Sequence, residues 1–160
     1  MKLEFPEGYA LCFIPLAASW VLNFCLTLLV VRARHKYDVQ YPALYAPPGH
    51  KDEIAFNCVQ RTHQNTLESW AMVMITMLFC GLVFPITSAI SGMLWVFGRF
   101  VYMFYALGNP AFRGPGSIIA HFGDWTLMGM VIRIAYKVAT DPTYISLMKG
   151  FLKTHTGVEL

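Results

Sequence analysis

The chain has 160 residues, of which 56% are hydrophobic and only 13% charged, and its formal net charge is +3. That length suits one domain, and the composition is too apolar for an ordinary soluble surface. The basic residues are not clustered with the aromatics, so the sequence carries no nucleic-acid footprint.

The first predicted element is the uncharged run from Tyr9 to Val31, which ends at Arg32 and Arg34. About 20 apolar residues cross a bilayer, so this run reads as a first membrane helix. One lysine, Glu4 and Glu7 precede it and no small-residue cleavage site follows, so it is expected to be retained and not removed as a signal. Lys36 to Lys51, with PALYAPPGH at its centre, is a loop. A second helix starts near Arg61 or earlier and ends by Phe84, with Pro85 as its breaker. A third runs from Ile86 to Leu107 and contains Arg99; the near-absence of a link makes helices two and three a tight antiparallel hairpin. GNPAFRGPG, Gly108 to Gly116, is the second loop, and Ser117 to Tyr136 is a fourth helix containing His121, Asp124 and Arg133. From Asp141 on, Tyr144, Leu147, Met148 and Phe151 have amphipathic spacing, with Lys149 and Lys153 on another face, which suits a membrane surface. The expected organisation is all-α: an integral membrane four-helix domain over residues 1–138 and a tail over 139–160.

Cys12, Cys25, Cys58 and Cys80 form no CxxC, and three lie in apolar runs; reduced thiols are expected, with neither a disulfide framework nor a metal site. The two loops that carry Arg32, Arg34, Lys36, Lys51 and Arg113 should face the cytosol, since the hairpin at Phe84 to Ser88 has no charge.

The most informative stretch is RTHQNTLESW. Arg61, Asn65 and Glu68 follow at i, i+4 and i+7, on one face of a helix that then runs without a charge through Met72, Leu78 and Val83. Charged groups in a membrane are costly and face a partner or a water-filled site. At 1.5 Å per residue, Glu68 lies roughly 10 Å and Arg99 roughly 12 Å below the same membrane face. Asp124 and Asn23 fall at the same level on their helices. Two readings fit: a polar site between helices near the cytosolic face, or an Arg99–Glu68 or Arg99–Asp124 pair that only fixes packing. Arg99, Tyr102 and Tyr105 share a face of helix three; for Tyr105, aromatic packing is favoured. Arg113 is either a topogenic charge or, if it reaches the site, a cation able to hold a thiol as thiolate. Arginines, one carboxylate and an amide suit a small peptide-like anion with a free amine, and the membrane setting suits a lipophilic second substrate. No GxSxG, HExxH or GxGxxG occurs, which argues against hydrolase, zinc-protease and dinucleotide chemistry.

FNCVQRTHQNTLE (Phe56 to Glu68), RARHKYDVQYPALY (Arg32 to Tyr45) and GRFVY (Gly98 to Tyr102) together resemble the membrane-associated eicosanoid and glutathione metabolism family. The resemblance covers about residues 10 to 138. It implies a left-handed four-helix bundle in an endomembrane such as the endoplasmic reticulum, assembled as a homotrimer, with glutathione as co-substrate bound between subunits. It also implies glutathione transferase activity on lipophilic electrophiles, peroxidase activity on lipid hydroperoxides, and an extension to leukotriene C4 synthesis. By resemblance, Arg61, Asn65, Glu68, Arg99 and Tyr102 contact glutathione, Arg34 reaches it from the adjacent subunit, and Arg113 stabilises its thiolate. Ser69 and Ala106 depart from the pattern, standing where relatives carry tyrosine, and His63 stands where relatives can carry Gln. A second class is a non-catalytic lipid-presenting scaffold of the kind that activates 5-lipoxygenase; the retained arginine and tyrosine set favours the enzyme. A third, an ion pathway, would place polar groups in both halves of the membrane, whereas these concentrate on one side.

Overall fold

The computed structural model describes residues 4–107 and 113–156, and every regular element among them is helical. A 3₁₀ turn, Tyr9–Cys12, leads into α1 (Phe13–Tyr37); α2 (Glu53–Gly81), α3 (Pro85–Ala106), α4 (Arg113–Thr140) and α5 (Pro142–Thr156) follow. The chain divides into two compact units, Met1–Leu127 and Met128–Leu160. The division falls inside α4.

Among the described residues, three segments are long and apolar enough to cross a membrane: Tyr9–Tyr37, Pro85–Ala106 and Arg113–Thr140. The sequence reading expected four. The difference lies in α2, which is 29 residues long but polar through its first half, from Glu53 to Ser69. Only its second half, from Trp70 on, is free of charged residues. Large apolar side chains such as Trp20, Phe24, Phe79, Ile90, Phe97 and Trp125 lie more than half exposed. Water penalises so much contiguous apolar surface, whereas lipid does not.

In the first unit α1 ends two turns later than the charge pattern suggested, because Arg32, Arg34 and Lys36 continue the helix. It stops at Asp38, whose left-handed backbone (φ 54°) closes the turn. Asp pays less than most residues for that conformation. The predicted hairpin is present: α2 ends at Gly81 and α3 starts at Pro85, where a fixed φ and a missing N–H cost the first helical turn nothing. Trp70 Nε1 of α2 donates to Ser19 Oγ of α1 at 2.9 Å. The fully buried core includes Trp95, Phe56, Leu26, Met77 and Leu127.

Glycine decides how closely α3 and the start of α4 approach. A β-carbon on Gly116 would stand 2.5 Å from the Tyr102 backbone nitrogen, and one on Gly98 would stand 2.7 Å from Ala120 Cα. Backbones in such contact gain packing that larger side chains forbid, the usual device of membrane helix pairs.

Residues 108–112 of the expected second loop lie outside the described residues, but the rest of it, Arg113 to Gly116, is helical and opens α4. In the second unit, Asp141 separates α4 from α5, its carboxylate accepting the Thr143 N–H at 2.8 Å in the manner of an N-cap. Tyr144, Leu147, Met148 and Phe151 are exposed along α5; the Lys153 side chain lies outside the described residues.

Candidate functional site

The polar stripe of α2 and the arginine of α3 do meet. Arg99 is 4% exposed. Its Nη1 donates to Asn65 Oδ1 at 2.5 Å and its Nη2 to Ser69 Oγ at 3.0 Å. The guanidinium carbon lies 5.3 Å from the Trp95 ring centroid and 5.9 Å from that of Tyr102, which form the floor beneath it. Its Nε is buried without a partner. Glu68 and Asp124 act on this cation through space, while its hydrogen bonds go to neutral groups. The packing-pair reading of Arg99 with either carboxylate is therefore not what its hydrogen bonds display.

Along the α2 face, Arg61 Nη1 pairs with Glu68 Oε1 at 3.3 Å, and Asn65 Nδ2 donates to Glu68 Oε2 at 3.4 Å. Both distances are long, and the Arg61 and Glu68 side chains are 44% and 47% exposed. Such a pair contributes little to stability. Its groups stand available on a face that the chain itself leaves open.

Arg61 also lines a pocket of about 400 Å³ with Tyr45, Glu53, Ile54, Asn57, Cys58 and Tyr105. Its neighbour, about 610 Å³, shares Glu53, Ile54, Cys58 and Tyr105 and extends toward His50 and Lys51. Volumes of this size hold small ligands. Tyr105, expected to serve packing, is part of both walls. The guanidinium of Arg113, exposed at the first turn of α4, lies 5.9 Å from the Tyr105 ring centroid. Arg113 thus stands beside the pocket without contacting Arg61 or Arg99 in the described structure. A cation at the positive end of a helix is locally unfavourable, so α4 gains nothing from it there; together they form an electropositive edge.

Tyr102 is 2% exposed, with its ring against Tyr105 at 5.6 Å, so it supports the site from below. Arg34 is 8% exposed and is not brought to the Arg61–Arg99 group; its Nη1 donates to the carbonyls of Val39 and Ala43. Of the other polar groups at this level, Asp124 bonds His121 at 3.0 Å. The expected α1 group, Asn23, keeps its Oδ1 buried with no hydrogen-bond partner among the described residues; one turn on, Thr27 Oγ1 donates to the Asn23 backbone carbonyl and lies 3.5 Å from His63 Nε2.

The two departures have structural reasons. Ser69 takes an Arg99 hydrogen bond. Ala106 is buried in an apolar cluster with Ala33, Phe56 and Val59, where its size fits. Sequence reasoning did not join Tyr45 or Ser69 to these residues, and for Tyr105 it favoured packing over the pocket wall. Ser69 was visible in principle, at i+4 from Asn65 and i+8 from Arg61. Tyr45 was not, because its place depends on a loop path.

The four cysteines are free: Cys12 and Cys80 buried, Cys58 half-buried, Cys25 exposed. Cys25 lines an apolar groove of about 450 Å³ between α1 and α3 with Val21, Met93, Phe97 and Phe100.

All of these site residues fall within residues 12–133, the stretch matched by the sequence model of the MAPEG family, and the chain belongs to that family.

Proposed function

We propose that this protein is an integral membrane glutathione transferase and peroxidase, nearest in kind to the type 3 microsomal glutathione transferases. The observation that carries the reading is Arg99: a buried guanidinium whose hydrogen-bond partners are neutral, with an orphan Nε, beside the open Arg61–Glu68 face. A buried cation without a hydrogen-bonded counter-ion is costly, and an anionic ligand relieves that cost. Family membership supports glutathione-dependent or eicosanoid-related chemistry.

In this reading α2 crosses the membrane as the fourth helix of a bundle, its polar half facing the ligand. Glutathione carboxylates meet Arg61 and Arg99, its amine meets Glu68, and Asn65 and Tyr102 hold the floor. The half-exposed α2 face is where a neighbouring subunit of a homotrimer closes the site. Arg113, with the positive end of α4, favours the thiolate over the thiol. The thiol proton leaves to water, and the sulfur lone pair forms the new carbon–sulfur bond as the electrophile's leaving group departs or its ring opens. With a lipid hydroperoxide, sulfur takes the distal oxygen to give the sulfenic acid and an alcohol; a second glutathione then yields the disulfide and water. The organic substrate arrives from the lipid of an endomembrane such as the endoplasmic reticulum.

The α1–α3 apolar groove favours a second reading, a lipid-presenting scaffold without catalysis. Calorimetric titration of the detergent-solubilised protein with glutathione separates the two. Saturable binding that transfers to a lipophilic electrophile supports the enzyme; no binding of glutathione, with fatty acid bound instead, supports the scaffold.

A further inference from the structure

The last turns of α1 carry a second recess, apart from the Arg61–Arg99 group. Leu29, Arg32, Ala33, Lys36 and Tyr37 follow at i, i+3, i+4, i+7 and i+8, so one face of the helix holds all five. They line a cavity of about 310 Å³, whose other walls include Ala55 and Val59 of α2 and Ala106 at the end of α3. The floor is firm: Ala33, Val59 and Ala106 are buried in one apolar cluster, and Leu29 and Tyr37 pack against it. Each of the three helices brings an alanine to the wall, and the small size of these residues leaves the room.

The mouth of the recess is basic. Arg32 and Lys36 are both exposed. Lys36 Nζ lies 4.9 Å from the Tyr37 ring centroid, and among the described residues neither cation has a carboxylate partner. Asp38, the nearest acid in the sequence, is engaged by Gln40 Nε2 at 2.6 Å. α1 and α3 are both long and apolar enough to cross a membrane, and both reach their C-terminal ends at this cavity. It therefore lies where lipid tails give way to headgroups. Arg32 and Lys36 are one turn apart, roughly 6 Å along the axis, and a headgroup layer is roughly 5–7 Å thick.

Cations at the end of a helix also complement its negative pole, but that role needs no cavity. In a bilayer an apolar recess is filled by lipid, and the charges at its mouth select which lipid. We propose that the recess binds an anionic phospholipid of the leaflet in which α1 and α3 end. An acyl chain covers the alanine floor, and the phosphate sits between Arg32 and Lys36, whose N–H groups donate to its oxygens. Two cations one turn apart can hold the two free oxygens of a phosphodiester from either side, whereas one would serve a carboxylate. A free anion would leave the apolar floor uncovered. The proposal stands apart from the glutathione reading and uses none of its residues.

The test uses the full-length protein in an uncharged detergent. Dioleoyl phosphatidylglycerol is the probe and dioleoyl phosphatidylcholine its zwitterionic counterpart, supplied together in equal amounts, and native mass spectrometry counts each lipid retained per chain. Wild type should retain the anionic lipid over the zwitterionic one by about tenfold or more, since each cation near an anionic headgroup contributes a preference of roughly fivefold. Arg32→Gln/Lys36→Gln should lose that preference, and each single variant should lose about three- to fivefold of it. Ala55→Leu keeps both charges but fills the recess from a half-exposed position, and should lose the preference as well. Oleate or inorganic phosphate at equal concentration should not displace the phospholipid. Equal retention of the two lipids by wild type, or a preference that survives the double Gln variant, overturns the proposal. A preference that survives Ala55→Leu also overturns it, because the charges would then act without the recess, and displacement by oleate or phosphate overturns phospholipid as the occupant.

Discussion

Asn65 and Arg99 meet side chain to side chain across the α2–α3 hairpin, at 2.5 Å. The two residues lie 34 positions apart in the chain, but Asn65 is 16 residues before Gly81 and Arg99 is 14 after Pro85, so the antiparallel hairpin brings them to one level. This contact gives the α2 stripe a partner that is buried and cationic.

The first prediction follows from that contact. Arg99→Met leaves Asn65 Oδ1 and Ser69 Oγ without their donor and removes the buried charge. Glutathione affinity should fall by about 2–5 kcal/mol, the cost of truncating one side of a buried charged contact. Arg61→Ala, half exposed, should lose about tenfold, or about 1.4 kcal/mol. Calorimetry on folded variants measures both, and unchanged affinity in either removes that residue from the site.

These residues also mark where the sequence was legible. Arg61, Asn65, Glu68 and Arg99 were found because helical spacing and depth are properties of the sequence itself once the helices are recognised. Pro85 gave the hairpin for the same reason. Tyr45 and the burial of Arg34 were not legible, since a loop takes its path from tertiary contacts made after the helices assemble. Tyr105 both packs, against Tyr102, and lines a pocket, and an aromatic at a helix end has the same spacing in either case. The extent of α1 was misjudged because Arg32 and Arg34 read as the end of an apolar run, although arginine is a good helix former.

Ser69 yields the second prediction. Its hydroxyl accepts a part-buried hydrogen bond from Arg99, whose own side chain is 4% exposed. Ser69→Ala leaves that donor unsatisfied and should cost about 1–3 kcal/mol. The loss should appear in thermal unfolding and, through a looser Arg99, in glutathione affinity. An unchanged melting temperature together with unchanged affinity would show the bond to be dispensable.

The close approach of α3 and α4 is the subject of the third. Gly116→Val places a side chain where a β-carbon alone would meet the Tyr102 backbone at 2.5 Å. The helices must separate, and overpacking of this kind costs about 1–3 kcal/mol. Gly114, whose β-carbon would meet nothing within 4 Å, serves as the control. Thermal unfolding of Gly116→Val and Gly114→Ala in detergent should separate widely; equal stability would show that the helices are not held at backbone contact.

Orientation gives the fourth. The basic residues Arg32, Arg34, Lys36, Lys51 and Arg113 flank the same ends of α1 to α4. The positive-inside rule therefore puts the Lys51 loop in the cytosol. In sealed microsomal vesicles, a membrane-impermeant maleimide should label Lys51→Cys above the level of the parent cysteines. Labelling that appears only after the vesicles are opened would invert the topology.

Arg113 supports the last prediction. It stands at the first turn of α4 with its guanidinium beside the Tyr105 ring, at the edge of the pocket that Arg61 lines. A free thiol has a pKa near 8.5, and a neighbouring cation lowers it because the charged thiolate is favoured. The sign is fixed: a cation at that place raises the thiolate fraction at neutral pH, so its loss should move the activity profile to higher pH. Arg113→Ala should leave glutathione affinity within about threefold, since Arg61 and Arg99 keep the carboxylates. Turnover at pH 7 should drop by up to about tenfold for each unit by which the thiol pKa rises above 7 toward its free value. The ultraviolet absorbance of bound thiolate should vanish at pH 7 and return at higher pH. Thiolate signal and turnover that both survive the substitution would move the role to another cation of the site, with Arg61 next in line because it shares the pocket wall with Tyr105.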